Sequence, residues 1–453
     1  MAVIVNREVD KLQPFLTTLL LAAPLLPLLQ NLPRGNVVIG FQLLSSIAIQ
    51  WYVAIRASVL SAIGTLTTAR IFVFSFYYVS SGLAVEMSFL LNYHSGLDFY
   101  ANMSQLNTSL MYSFVSLIIL DFALPNSEIK LTSFQSKITP NIIFKLNILL
   151  TFILLALYIA DTGISAIISS REAVSNNIAG GALASGNIAI SGLYISATKI
   201  FPLITTAYAL IFRKSFTHNI RFLIYLNLIL LLLVNNPIST PRYQLAIFAV
   251  VIGYSLVPFE KNRNLKHLVS LVLFIVVIFP SLDFGRHSLK ANKSFDISVT
   301  FKELALKDFD QVLMGAFTLS AVKENKQLFP IGKQILGETG AFIPRSFWKN
   351  KPLDSSISVA RHFNLKNENL SIPLWAEGYM SFRLLGAITF PLILGLIFRK
   401  ITKAVNPLNF FVFQSFLLGS VFIILRGTLM QFSGLLFAAL LSITLMNRIL
   451  VQR

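Results

Sequence analysis

The twenty residues NIIFKLNILLTFILLALYIA, at positions 141–160, form an apolar run that carries a single charge, Lys145. A helix of this length extends about 30 Å, which matches the hydrocarbon thickness of a bilayer. The strands of an outer-membrane barrel are about half as long and alternate in hydropathy, unlike this run. The stretch therefore predicts a transmembrane helix.

Similar runs recur along the chain of 453 residues, of which 55% are hydrophobic and 12% are charged. This composition lies outside the range of soluble globular domains and predicts an all-α polytopic integral membrane protein. The hydropathy pattern predicts about twelve spans, near residues 15–33, 36–55, 71–91, 107–125, 141–160, 188–212, 219–235, 243–258, 267–281, 375–398, 407–425 and 428–447.

Lysine and arginine are unevenly distributed between the segments that join these spans. About half of the 37 Lys and Arg residues fall on one side when both termini are placed in the cytoplasm, as the positive-inside rule requires. The net charge of +18 is explained in large part by this excess, which anionic headgroups attract, so we infer no nucleic-acid partner. The chain has no cysteine, which excludes disulfides and thiolate metal sites.

One long polar segment divides the chain into three parts. We predict about nine spans in residues 1–281, a loop or lid in 282–372, and about three spans in 373–453. The count of spans makes this loop extracytoplasmic. In TFKELALKDFDQVLMGAF, residues 300–317, apolar residues recur near helical spacing, which predicts an amphipathic helix at the membrane.

The loop also contains FIPRSFWKNKP at 342–352, which places Arg345 and Lys351 between two prolines. Arginine is disfavoured in the outer half of a membrane protein, yet we expect five there: Arg171, Arg242, Arg286, Arg345 and Arg426. A guanidinium binds phosphate oxygens in a bidentate way. These arginines and Lys351 therefore predict an anionic ligand, with pairing to a local carboxylate as the alternative.

A hydroxyl that acts as an acceptor needs a base near its oxygen, and the loop and its border supply candidates. Glu338 and Glu377 are the preferred carboxylates, and His362 is the alternative base. Trp348 is predicted to stack on a sugar ring or to anchor the membrane boundary. Three charged residues inside predicted spans, Glu86, Asp121 and Lys199, instead favour an ion or proton pathway.

The segment FIPRSFWKNKP is similar to the Pro-Arg-Ser-x-Trp-x-x-Lys-Pro signature of the Wzy-type oligosaccharide repeat-unit polymerases. Further stretches resemble other elements of that family, namely DFDQVL at 308–313, SIPLWAEGYMSFRLLG at 371–386, GISAIISSR ending at Arg171, and Arg426-Gly427. The chain departs from the family at Arg383, where such sequences commonly have a glycine.

This resemblance implies a GT-C-type glycosyltransferase of the bacterial inner membrane. Because a lipid-linked donor already carries its leaving group, we expect no metal and no other cofactor. The enzyme would join undecaprenyl-pyrophosphate-linked oligosaccharide repeat units into O-antigen or capsular polysaccharide at the outer face. The five arginines would hold pyrophosphate and sugar, while Glu338, Glu377 or His362 takes the acceptor proton. The implied partners are the lipid-linked substrate, the bilayer, and a chain-length regulator and flippase of the same pathway.

Two alternatives remain open at this point. An O-antigen ligase would use the same chemistry with a lipid A core as acceptor. A flippase for lipid-linked oligosaccharides would form no bond, and it would be expected to contain two related halves. No internal repeat is visible in the sequence, which favours an enzyme.

Overall fold

Helices form every regular element in the part of the chain that the structure describes. The computed structural model describes residues 12–25, 37–90, 103–128, 142–169, 196–256, 264–277, 309–327, 329–340, 343, 347–365, 368, 370–403 and 407–451. The α-helices are α1 (Leu12–Ala22), α2 (Val37–Ala62), α3 (Thr68–Tyr77), α4 (Ala84–Leu90), α5 (Met103–Ala123), α6 (Ile142–Thr162), α7 (Ile164–Ser169), α8 (Phe201–Ile211), α9 (His218–Val234), α10 (Arg242–Leu256), α11 (Leu265–Val277), α12 (Gln311–Glu324), α13 (Lys333–Thr339), α14 (Ser355–His362), α15 (Leu374–Thr402), α16 (Pro407–Arg426) and α17 (Leu429–Val451). Two π-helical turns, Tyr78–Leu83 and Ser196–Ile200, precede α4 and α8.

Six of the described helices are long and apolar enough to cross a membrane: Phe41–Ala62, Thr68–Ser88, Ser104–Ala123, Ile142–Thr162, Leu374–Thr402 and Leu429–Arg448. Six shorter apolar helices, of 10–17 residues, accompany them: Leu12–Ala22, Thr198–Ile211, His218–Val234, Arg242–Leu256, Leu265–Val277 and Phe410–Arg426. The long helices indicate a polytopic membrane protein. Twelve spans would require the shorter helices to cross as well.

Helix α6 illustrates how the sequence positions a span, since it covers nearly the same residues as the predicted one. Its buried face packs against α8 and α9 and carries Phe144, Ile148, Thr151, Leu155 and Tyr158. Its opposite face exposes large apolar side chains, namely Leu146, Leu149, Leu150, Ile153 and Leu157. Because so continuous an apolar surface is rare on a soluble monomer, this face is suited to lipid.

Helices α10 and α16 form a close antiparallel pair in the interior. A methyl group added to Gly419 of α16 would come within 2.6 Å of the Ile247 Cα atom, so only glycine permits this approach. The rings of Tyr254 and Phe411 meet at a centroid distance of 5.7 Å farther along the pair. This register places the first residue of α10, Arg242, at the same end of the pair as the last residue of α16, Arg426.

A buried ion cluster joins α2, α3 and α5. Asp121 accepts hydrogen bonds from Arg70 Nε at 2.8 Å, Arg56 Nε at 2.5 Å and the Tyr52 hydroxyl at 2.9 Å. Arg70, only 2% exposed, also donates to the carbonyl oxygens of Asp121, Leu124 and Pro125. It thereby satisfies carbonyls that the end of α5 leaves unpaired. Asp121 is thus part of a structural pair rather than an isolated charge in a span.

Helix α12 differs from the amphipathic surface helix that the sequence predicted. The described helix begins at Gln311, and of the twelve positions 311–322 only Leu313 is not buried. It packs against α5, α14, α15 and the π-helical turn before α4. The Gln311 amide donates to Ser80 Oγ at 2.7 Å on that turn, and Ser109 Oγ donates to the Val312 carbonyl at 2.7 Å. Part of the loop is therefore inserted among the long helices, and residues 300–308 lie outside the described part.

Replacing Asp121 with alanine is expected to destabilise the protein by about 3–5 kcal/mol, because it leaves the buried guanidinium of Arg70 without its carboxylate. Thermal unfolding of the purified protein in detergent would measure the loss. Glu368→Ala is the matched control, since it breaks the exposed pair with Arg361 and should leave the melting temperature unchanged. Equal melting temperatures for Asp121→Ala and the control would contradict the structural role of the cluster.

Candidate functional site

Helix α15 is broken near its start, within the sequence MSFRLLG at 380–386. Phe382 (φ −140°, ψ 21°) and Arg383 (φ 56°, ψ −139°) depart from helical geometry. The conformation of Arg383 is one that glycine adopts freely and that costs other residues about 1–3 kcal/mol. Arg383 therefore stands in a glycine conformation at the position where the resembled family commonly has glycine.

The break turns the first part of α15 back against the second. A methyl group on Gly378 would come within 2.1 Å of the Gly386 carbonyl oxygen, so the two backbones touch. In a straight helix residues eight apart are separated by about 12 Å along the axis. The continuous helix after the break runs from residue 384 to 402, which is about 28 Å and long enough to span a bilayer.

The break also fixes the short helix α13. Backbone carbonyls freed at the break accept hydrogen bonds: Ser381 O from Gly332 N at 2.8 Å, and Met380 O from Arg383 Nη1 at 3.1 Å. Arg383 Nη2 donates to the Phe329 carbonyl oxygen at 2.8 Å. The backbone immediately before α13 is thus bonded to the break in α15.

Two carboxyl groups that the sequence named as candidate bases meet at this junction. Glu338 on α13 is 3% exposed and Glu377 on the first turn of α15 is fully buried. Their side chains lie within hydrogen-bonding reach of each other, and Ser355 Oγ lies 2.6 Å from Glu377 Oε2 and 3.3 Å from Glu338 Oε1. Two carboxyl groups form a hydrogen bond only when a proton lies between them. We call Glu338, Glu377 and Ser355 the carboxyl pair and its serine.

Three helix N-termini surround the carboxyl pair. Asp354 caps α14 and accepts from Ser356 N at 2.8 Å, and its other oxygen accepts from Thr428 Oγ1 at 2.8 Å. Leu429 N, at the start of α17, donates to Glu377 Oε1 at 3.3 Å. Glu377 itself lies in the first turn of α15. The N-terminal ends of helices favour negative charge, so this arrangement stabilises carboxylates at a buried position.

Burial controls the protonation of Glu338. Removal from water raises the pKa of Glu338 above its ordinary value, and the nearby charge of Asp354 raises it further. Hydrogen bonds from Glu377 and Ser355 oppose this rise. Oε2 of Glu338 is buried and contacts no N–H donor among the described residues. With a proton on Glu377 the two carboxyl groups share one negative charge, which we assign to Glu338.

Arginine 426 lies beside this cluster, two residues before Thr428. Its Nε atom is 3.5 Å from Oδ1 of Asp310, the residue that precedes α12. Burial raises the pKa of Asp310, and Arg426 opposes that rise. Arg426 thus has the local carboxylate partner that was the alternative to a ligand. The Arg426 side chain is 29% exposed, so its guanidinium is accessible to a second anion.

Arginine 242 begins α10 after a turn held by one side chain. Asn236 donates to the Ile167 and Leu233 carbonyls, and its Oδ1 accepts from Ile238 N and Ser239 N. The α10–α16 register places Arg242 and Arg426 at one end of the bundle. Arg171, Arg286 and Arg345 lie outside the described residues. Two of the five predicted arginines are therefore at the same end of one helix pair.

The remaining predicted residues have different surroundings. Lys351 is 9% exposed and donates to the Ile343 carbonyl at 3.1 Å, and the ring of Trp348 lies over Gly340 at the end of α13. His362 is at the far end of α14, where its Nε2 atom is 3.0 Å from Glu324 Oε2. Ser355 begins the same helix, so His362 is about 10 Å from the carboxyl pair along the axis. The structure does not bring His362 to the site.

Sequence reasoning missed Asp354, Ser355 and Thr428. The signal for two of them is local, because LDSSISVARH at 353–362 places an aspartate where a helix N-cap is favoured. Thr428 has a similar position before α17, where its Oγ1 accepts from Gln431 N at 3.4 Å. These caps identify where helices begin. They do not show that three such ends converge.

Comparison of the chain with protein-family models, with curated proteins and with solved structures found no match. The family resemblance of the loop motif therefore stays a hypothesis.

The raised pKa of Glu338 predicts how stability depends on pH. Its folded-state pKa lies above its unfolded value, so the protonated form contributes stability below the ordinary glutamate pKa of about 4.3, and this is lost as pH rises through the folded value. Glu338→Gln removes the titration and should gain melting temperature relative to the parent as pH increases. Glu368→Gln is the control, since its pKa is lowered by Arg361. A Glu338→Gln difference that is constant with pH would contradict the burial argument.

Proposed function

We propose that the protein is a membrane glycosyltransferase that polymerises undecaprenyl-pyrophosphate-linked oligosaccharide repeat units into O-antigen or capsular polysaccharide. The observation that carries the proposal is the buried, proton-sharing pair of Glu338 and Glu377 beside the partly exposed Arg426. A base and a cation are what glycosyl transfer from a pyrophosphate donor requires. The motif at 342–352 and its resemblance to the Wzy-type polymerases support the same reading.

In the proposed step the acceptor hydroxyl oxygen bonds to the anomeric carbon of the donor sugar. The bond between that carbon and the phosphate oxygen breaks, and undecaprenyl pyrophosphate leaves with the electron pair. The hydroxyl proton passes to the Glu338 carboxylate. Ser355 and the protonated Glu377 hold Glu338 in place and stabilise its charged form by hydrogen bonding.

Arginines supply the positive charge that the leaving group needs. Arg426 and Arg242 lie at one end of the α10–α16 pair, and Arg345, Arg171 and Arg286 are assigned to the same task from the sequence alone. Arg426 already faces Asp310, so its guanidinium would bridge that carboxylate and a pyrophosphate oxygen. Lys351 and Trp348 remain proposed substrate contacts at the edge of the loop.

The surroundings of the charged residues inside the spans disfavour the transport alternative. Asp121 is paired with Arg70 and Arg56, and Glu86 accepts from Ser46 Oγ at 3.2 Å and from the Gln50 amide. Lys199 lies over the Tyr158 ring at 5.4 Å. Each charge thus has a local partner, as structural residues do. A ligase that uses lipid A core as acceptor would need the same base and arginines, so the acceptor has to be tested directly.

The proposed orientation places both termini in the cytoplasm and the long loop outside the inner membrane, and all twelve apolar helices cross the bilayer. It rests on the excess of Lys and Arg in the short loops. Because the chain has no cysteine, a thiol introduced by Ser294→Cys is unique. An impermeant thiol reagent added outside spheroplasts should label it. Labelling only after the inner face is exposed would contradict the proposed orientation.

Purified protein in proteoliposomes with lipid-linked repeat units is expected to produce a ladder of longer lipid-linked chains. Glu338→Gln keeps the shape of the side chain and removes its basicity, so elongation should slow by about 10²–10⁴-fold. Glu377→Ala should slow it as well, because alanine cannot donate the hydrogen bond that a protonated Glu377 gives to Glu338, whereas Glu377→Gln keeps a donor and should keep most of the rate. Glu86→Gln is the matched control, since Glu86 is an equally buried glutamate elsewhere in the protein and should elongate chains at the parent rate.

Three outcomes would overturn parts of the proposal. Transfer to lipid A core without elongation would identify a ligase, and movement of substrate across the bilayer with no new bond would identify a flippase. Parent-like elongation by Glu338→Gln and Glu377→Ala at matched protein levels would remove the carboxyl pair from the chemistry.

A further inference from the structure

We propose that Arg383 is a positioning residue that holds Glu338 against Glu377 by bonding the start of α13 to the break in α15. The identification of the pair as catalytic rests on the proposed function, whereas the positioning itself rests on contacts within the chain. The residue touches neither carboxyl group. It acts through the backbone on which one of them is carried.

The first observation is the backbone of Arg383. Its φ of 56° and ψ of −139° lie in a region that only glycine enters without strain. Such a conformation persists only where surrounding contacts hold it. The contact of Gly378 with Gly386 across the break shows that the turn is tight, since no side chain fits between these two backbones. A glycine at 383 would make the same turn with less strain, so the arginine side chain needs its own explanation.

The second observation is where that side chain is bonded. Nη2 of Arg383 donates to the Phe329 carbonyl oxygen at 2.8 Å, and Nη1 donates to the Met380 carbonyl oxygen at 3.1 Å. Phe329 is 1% exposed and packs with the core that includes Trp375, so its carbonyl is a fixed anchor. One guanidinium therefore joins the segment before α13 to the last turn before the break.

The third observation is that the same segment carries a backbone bond and a left-handed glycine. Gly332, at φ 76°, donates its N–H to the Ser381 carbonyl at 2.8 Å and begins α13. Glu338 is less than two helical turns farther on. On the other side of the break, Glu377 is one turn before Ser381. The Phe329–Gly332 segment and the break thus fix the two helices whose side chains form the carboxyl pair.

Removing the guanidinium while keeping the turn should separate the helices. Arg383→Gly does this, because glycine accepts the backbone conformation and removes both side-chain hydrogen bonds. Without the bond to Phe329, the start of α13 is joined to the break through Gly332 N, while Gln334 still bonds α13 to Leu353 and Ser355. We expect α13 to shift at its start, which gives water access to Glu338. The titration of Glu338 should then move towards that of an ordinary glutamate.

The experiment is an infrared titration of purified protein in nanodiscs. The protonated-carboxyl C=O band that Glu338→Gln removes is assigned to Glu338, and its pH midpoint is measured in each variant. Arg383→Gly should lower the midpoint by at least one pH unit with no loss of melting temperature. Arg383→Lys should give a midpoint between that of Arg383→Gly and that of the parent, because the lysine side chain keeps one donor. Arg399→Ala is the control, since it removes a guanidinium bond of 2.6 Å to the Phe122 carbonyl from the far end of the same helix.

A parent midpoint in Arg383→Gly would overturn the inference, because the turn alone would then be sufficient. The midpoint of the Glu338 band can be measured without glycosyl transfer taking place. If Arg383→Gly lowers the midpoint but neither it nor the parent elongates chains, the positioning role of Arg383 is supported and the proposed function fails. If the parent elongates chains and Arg383→Gly matches it in both midpoint and rate, the function stands and the positioning role fails.

Discussion

The close approach of the Glu338 and Glu377 carboxyl groups is the interaction on which the candidate site depends. Two carboxylates repel one another, and removal from water makes the charged forms still less favourable. A shared proton relieves both problems and leaves one negative charge rather than two. That charge remains available as a base if the surrounding dipoles support it. The rest of the site is best understood as the means of supporting it.

Helix ends supply this support in place of paired cations. The N-termini of α14, α15 and α17 meet at the cluster, and Asp354, Glu377 and Thr428 lie at those ends. The connection between α16 and α17 then brings Arg426 within two residues of Thr428. A break in α15, rather than a straight span, makes the convergence geometrically possible. Irregular backbone of this kind is tolerated near a membrane only where protein or a polar cavity surrounds it.

Much of the architecture could be predicted from the sequence because the bilayer imposes a length. The predicted span 141–160 differs from helix Ile142–Thr162 by only a few residues, since hydropathy changes sharply at both ends. The prediction of α12 as a surface helix was wrong, because its buried residues lie on all faces of the helix and include the polar Gln311 and Ser320. Periodicity over a short segment did not reveal that its small residues allow close packing, as Gly315 does against Trp375.

The candidate site was predictable as a set of residue types but not as a geometry. Glu338, Glu377 and Arg426 were singled out as outer-face charges, and the structure places the two glutamates together and the arginine beside their cluster. His362 was an equally reasonable base in sequence, yet it lies with Glu324 at the opposite end of α14. Asp354, Ser355 and Thr428 resemble ordinary helix caps, and only tertiary contact distinguishes them.

The proposed polymerase activity has a stoichiometry that can be measured. In proteoliposomes loaded with lipid-linked repeat units, free undecaprenyl pyrophosphate and newly formed glycosidic bonds are counted over the same interval. We expect one lipid pyrophosphate to be released for each bond, and both quantities to fall together when the carboxyl pair is altered. Bond formation without release of lipid pyrophosphate, or no release and no bond from folded protein, would contradict it.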